Sequence, residues 1–182
     1  MEVSLESTNA KTRELLLYVA DRLKDLPNYG ATLLNKVLYF IDHTNYLVKG
    51  HPISNLGYVK QDFGPTPKPS QFLPLKKSLI DNDEMTEIRS DFFGLVQKKC
   101  LPKRKPNTDV FDKDEIILID QVITVVATHN ASSISEISHR FLAWKLAENM
   151  EELPFYTFLL TSKVPTENDL SWAKSEIEKY TA

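Results

Sequence analysis

The chain has 182 residues, 42% of them hydrophobic, with a formal net charge of -3 at neutral pH. That suffices for one domain with a buried core, from about residue 10 to 180, and gives no global cationic field. Any bound nucleic acid would need a local patch, and its binding is not expected. Cys100 is the only cysteine, which excludes an intramolecular disulfide, and the opening MEVSLESTNAKTR lacks the cationic and apolar regions of a signal peptide. A cytoplasmic protein is expected. No apolar run approaches the roughly 20 residues that cross a bilayer, since Asp120 and Gln121 interrupt IILIDQVITVVA.

Taken in chain order, Leu15, Leu16, Val19, Leu23 and Leu26 recur at helical spacing between Thr12 and Leu26, and PNYG stops that helix. Thr32 is placed to cap a second helix reaching about Val48. On it Leu33, Leu34, Val37, Leu38, Phe40, Ile41, Leu47 and Val48 cover more than half the circumference. Asn35, Tyr39, Asp42 and Tyr46 form a line on the remaining arc, with Lys36 and His43 beside it. Two readings of this stripe stand side by side. One is a solvated face with local Lys-Asp pairing; the other is a recognition surface, for which Tyr combined with charge is suited.

LGYVKQDF alternates like a strand, and GPTPKPS then removes three backbone donors, so an exposed rigid connector is expected there. A short helix from Pro69 to about Leu79 and two strands, MTEIRS and GLVQKKC, joined around DFFG follow. LPKRKPNT with Lys98 and Lys99 makes a basic loop with no interleaved aromatic, which favours a solvated loop over a phosphate-binding one. Asp112 or Asp114 caps a core helix to about Asn130, with Ile116, Ile119, Val122, Ile123, Val125 and Val126 inward. Ser133 and Glu136 have capping-box spacing for a helix over 133–140. A final helix from Glu167 to Tyr180 directs Trp172 and Ile177 inward, and residues 1–8 and 181–182 fray. The expected class is α+β: a mainly helical single domain with a small antiparallel sheet or hairpin.

No catalytic signature stands out. His43, His51, His129 and His139 form no metal-binding spacing, Cys100 has no His near it in sequence, and the glycine loops that cradle phosphate are absent, so no cofactor, metal or enzymatic role is expected. Only Asp42, His43, His51 and Asp62 remain as a conceivable acid-base set.

The run LNKVLYFIDHTNYLVKGHPISNLGYVKQDFGPTPKP resembles the opening of the Panacea domain, the SocA-like antitoxin domain. The likeness rests on Lys36, Tyr39, Phe40, Gly50, Pro52, Ile53, Tyr58, Phe63, Gly64 and Pro65. ISEISHRFLAWKLAENMEELPFY is similar to a later element of that family through Ile137, Ser138, His139, Trp144, Pro154 and Tyr156, so the resemblance spans about residues 10 to 160. It departs at Thr66, where the family often has an aliphatic residue, and in KPS, where an acidic residue is common. The resemblance implies a non-enzymatic antitoxin of bacteria or their phages, which neutralises a cognate protein toxin by direct binding. The family's toxins include translation inhibitors, and one member type is an adaptor to an AAA+ protease. The expected partner-binding face is Lys36, Tyr39, Asp42, His43 and Tyr46, with Phe63, Gly64 and Pro65 of the connector. A competing reading is a winged-helix DNA-binding regulator that uses residues 133–148 and the basic 98–105 loop.

Overall fold

A computed structural model of the chain describes residues 5–160 and 166–181. Helix α1 (Leu5–Leu23) is followed by α2 (Ala31–Lys49), strands β1 (Tyr58–Val59) and β2 (Thr66–Pro67), and α3 (Pro69–Asp81). The hairpin β3 (Met85–Phe92) and β4 (Leu95–Pro102) comes next, then α4 (Lys113–Val126), α5 (Ala131–His139), α6 (Leu142–Leu146) and α7 (Glu167–Thr181). Short 3₁₀ turns lie at Thr108–Val110 and Phe155–Leu159. The class is the mainly helical α+β expected. Helix α1 begins inside the segment expected to fray, while Met1 to Ser4 and Ala182 lie outside the described residues.

Helix α2 is the axis of the fold. α1, α4, α5, the 3₁₀ turn at 155–159 and strands β2 and β4 all pack on it, so it is buried around most of its circumference. Leu33, Leu34, Val37, Leu38 and Ile41 meet Leu15, Leu16 and Val19 of α1 and Ile119, Ile123 and Val126 of α4 in one core. Each such side chain contributes about 1.5–3 kcal/mol when removed from water. The apolar arc read from the sequence runs out at the helix end, where Leu47 and Val48 are exposed. α2 starts behind Gly30, which offers no side-chain cap, so Thr32 is not the cap.

Asp112 caps α4 in a full capping box with Glu115; Glu115 is also buried and paired to Lys11 at 2.6 Å. The box expected at Ser133 and Glu136 does not form. Asn130 caps α5 instead, accepting from the Ser133 N–H. Val125, expected inward, is exposed. Trp172 and Ile177 of α7, expected inward, are also exposed.

The connector is a return strand rather than an exposed tether. Tyr58 pairs with Pro67 and Val59 with Thr66. The Lys68 N–H donates to the Gly57 carbonyl at 2.7 Å, so Pro67 falls at a position where an antiparallel ladder asks for no donor, and proline is tolerated there. Gly64, Pro65 and Pro67 are buried.

Candidate functional site

Asp42 lies in the middle of α2 with no solvent exposure. Its Oδ1 accepts from the main-chain N–H of Ile53 at 3.0 Å and of Ser54 at 2.7 Å; its Oδ2 accepts from the Ser54 hydroxyl and, at 2.6 Å, from the Tyr58 hydroxyl. All four donors come from the segment just after the helix, and Asn45 pins that turn by donating to the His51 carbonyl at 2.8 Å. Burial pushes the Asp42 carboxyl up, against the pull of the four donors. Burial also pushes the Tyr58 phenol well above its ordinary range, with the adjacent carboxylate adding to it. The carboxylate fastens helix to turn.

His43 faces an aromatic cluster. Its Nδ1 donates to the Tyr39 carbonyl at 2.8 Å, and its ring lies 3.9 Å from that of Tyr39, 4.8 Å from Phe155 and 5.3 Å from Phe158. Burial lowers its pKa to about 4, so it is neutral at physiological pH. Tyr46 stacks on Phe155 at 5.6 Å. The cover comes from Phe141, Phe155 and Phe158, residues 98 to 115 positions further along the chain than His43. Lys36, Tyr39, Asp42 and His43 are therefore each at most 2% exposed, and Tyr46 is half-buried. The expected stripe is neither a solvated face nor an open recognition surface. Lys36 and Asp42 do not pair.

The Lys36 Nζ instead donates to the Pro65 carbonyl at 2.8 Å, and burial lowers its pKa to about 7. This bond holds the connector at Gly64, whose φ of +97° favours glycine. A Cβ added there would lie 2.3 Å from Ser138 Oγ and 2.9 Å from Lys36 Nζ. The indole N–H of Trp144 donates to the Gln61 carbonyl at 3.3 Å, 83 residues away in sequence. His139 stacks on Trp144 at 3.7 Å, and Lys60 lies 4.5 Å from the Trp144 ring centre. The two stretches that carry the family resemblance thus meet at Gly64. What projects from this clamp is Phe63, 71% exposed.

Phe63 borders a groove of about 620 Å³ lined by Val96, Gln97 and Lys98 of β4 and by the first residues of α2 and α5. An apolar groove of about 510 Å³ lies between α2, α4 and α5, around Phe40, Val48, Ile117 and Val125. The basic loop is largely engaged within the chain: Lys103 pairs with Asp83, and Arg104 with Glu14 and Glu84. The conceivable acid-base set does not assemble, since His51 bonds the Pro52 carbonyl in an exposed turn, Asp62 is exposed, and no hydrogen bond joins any two of the four among the described residues. Cys100 is buried, which pushes its thiol up to about 11. No cluster of metal-ligating side chains occurs among the described residues, and no helix among them is long and apolar enough to cross a membrane.

No curated protein and no solved structure matches the chain. The family model described as "Antitoxin SocA-like, Panacea domain" matches residues 34–145, from the first turns of α2 to α6. That stretch contains both halves of the clamp at Gly64 and the hairpin beside it. The chain belongs to the SocA-like Panacea-domain antitoxin family.

Proposed function

We propose that this protein is a non-enzymatic antitoxin that neutralises a cognate protein toxin by direct binding, and that the surface around Phe63 makes the contact. The observation that carries this reading is the clamp: Lys36 of α2 and Trp144 of α6 hydrogen-bond the connector, Ser138 of α5 closes on Gly64, and one large apolar side chain is left in solvent beside a groove. An aromatic anchor on rigid backbone loses little entropy on binding, which is the property of interface hot spots. In this reading Lys36, Tyr39, Asp42 and His43 hold the binding face in shape rather than touch the toxin, and Gly64 and Pro65 set the direction of Phe63.

A toxin that blocks translation falls within the range the family resemblance implies, and it sets the readout as recovery of protein synthesis. The DNA-regulator reading has less behind it, because Lys103 and Arg104 are neutralised by Asp83, Glu14 and Glu84, leaving few cations to release counterions from phosphate. The test is co-expression with the toxin encoded beside the gene. Wild-type chain restores growth and co-purifies with the toxin, whereas Phe63→Asp protein, folded and soluble, does neither. Full rescue by Phe63→Asp would place the contact elsewhere, and absence of rescue by wild-type chain would remove the antitoxin role itself.

A further inference from the structure

The hairpin β3–β4 has its own logic of open and closed edges. Phe92 pairs with Leu95 across Phe93 and Gly94, both at positive φ, the mark of a type I′ two-residue turn. The pair flanking such a turn is hydrogen-bonded, so bonded and non-bonded pairs alternate from there along the ladder. Gln97, Lys99 and Leu101 therefore point their main-chain groups at β3, while Val96, Lys98 and Cys100 point theirs outward. Two facts agree with this parity. Pro102, which has no N–H, falls on an outward position, and the Cys100 carbonyl accepts from the Tyr29 hydroxyl at 2.7 Å on the outer side.

Tyr29 closes the edge at Cys100. Among the described residues, no hydrogen bond reaches the main chain of Val96 or Lys98 from outside the hairpin. Those two residues line the groove beside Phe63. The other edge differs: α3 packs against β3, and Lys76 pairs with Glu87 at 2.5 Å.

Among the described residues, Lys98 is the one charged side chain that lines the groove, although Asp91 lies opposite Val96 on the hairpin. The groove is bordered by the starts of α2 and α5, neither of which has an acidic residue in its first turn, and α2 has no side-chain cap. Lys98 is exposed and makes no direct ion pair among the described residues; the carboxylate that feels its charge, Glu87, is paired to Lys76. Positive helix ends beside an exposed ammonium favour carboxylates.

We infer that the protein partner adds an acidic, extended segment to the open edge of β4, as a third strand lying in the groove beside Phe63. The inference rests on the reading of the Phe63 surface as the partner-binding face. Val96 and Lys98 supply about four main-chain hydrogen bonds, Phe63 and Val96 take alternate apolar side chains of the added strand, and Lys98 with the start of α2 takes its carboxylates.

The test uses the full chain and a dodecapeptide library displayed on phage. In the free protein, the amides of Val96 and Lys98 exchange with solvent quickly while those of Gln97 and Lys99 are protected. Selected peptides alternate apolar with acidic residues, and a synthetic selected peptide slows exchange at Val96 and Lys98 about tenfold or more. Val96→Pro and Lys98→Pro each remove an outward N–H without removing a ladder bond, and each weakens the peptide about tenfold. The exchange measurement on wild-type chain decides the matter even where a proline variant does not fold. Strand addition is overturned if no peptide is enriched, or if the bound peptide leaves Val96 and Lys98 exchanging freely. It is also overturned, with the Phe63 surface left standing, if Phe63→Asp abolishes toxin rescue while both folded proline variants rescue fully.

Discussion

The stripe on α2 and the connector around Phe63 carry the same sequence signature, yet one is sealed and the other open. Asp42 satisfies four donors and excludes water; Phe63, 21 residues later in the chain, is 71% exposed. Between them sits Lys36, whose side-chain nitrogen ties the buried helix to the connector. The contrast teaches that polarity on a helix face is not evidence of solvent contact when the following turn can supply the matching hydrogen bonds. It also gives each region its own mutational behaviour: the sealed one loses stability and rescue together, the open one loses rescue alone.

The largest effect is expected at Asp42. Replacing it with Ala leaves the Tyr58 and Ser54 hydroxyls and two main-chain N–H groups without their acceptor in a buried site, and costs about 3 kcal/mol or more. Urea unfolding measures it; a loss below about 1 kcal/mol would mean that the carboxylate does not fasten the turn. Gly64→Ala comes next, at about 2 kcal/mol or more, because the new methyl meets Ser138 and Lys36 at a left-handed φ. Both variants lose rescue along with fold.

Protonation sharpens the comparison at a smaller scale. The buried His43 binds a proton only below about pH 4, whereas the unfolded chain binds one below its ordinary 6.5. The unfolded state therefore holds more protons in that window, and stability falls as pH drops from 6.5 to 4, by on the order of 2 kcal/mol. Lys36 has its window between about 7 and 10.5, where the unfolded chain is protonated and the folded one is not, so its contribution to stability rises with pH there. Unfolding series at pH 7 and 9 should show this rise in wild type and a flatter response in Lys36→Met; equal slopes in the two proteins would contradict a neutralised buried lysine.

Much of this was legible in the sequence, and what was not has identifiable causes. The periodicity of α2 and the hairpin around DFFG stand out because local spacing encodes them. The burial of the stripe does not, because its covers are Ser54 and Tyr58, 12 and 16 residues after Asp42, and Phe141, Phe155 and Phe158, about a hundred or more after His43. A helical wheel knows nothing of such distant partners. The prolines of the connector looked incompatible with a ladder because a strand's bonded and non-bonded positions are set by its partner's register, here Tyr58 opposite Pro67. On α7 the periodicity gave the helix but not its surroundings, and Trp172 ended up 67% exposed.

The smallest stability effect belongs to Phe63, and it makes the most direct measurement. Phe63→Asp should unfold within about 0.5 kcal/mol of wild type, as expected for an exposed side chain, while binding of the purified toxin weakens at least about thirtyfold, the loss of a hot-spot anchor. Calorimetric titration of the toxin into wild-type and variant chains, with their melting curves alongside, reads both quantities. Unchanged stability with strongly weakened binding is the predicted result; wild-type affinity in a folded Phe63→Asp chain would contradict the account.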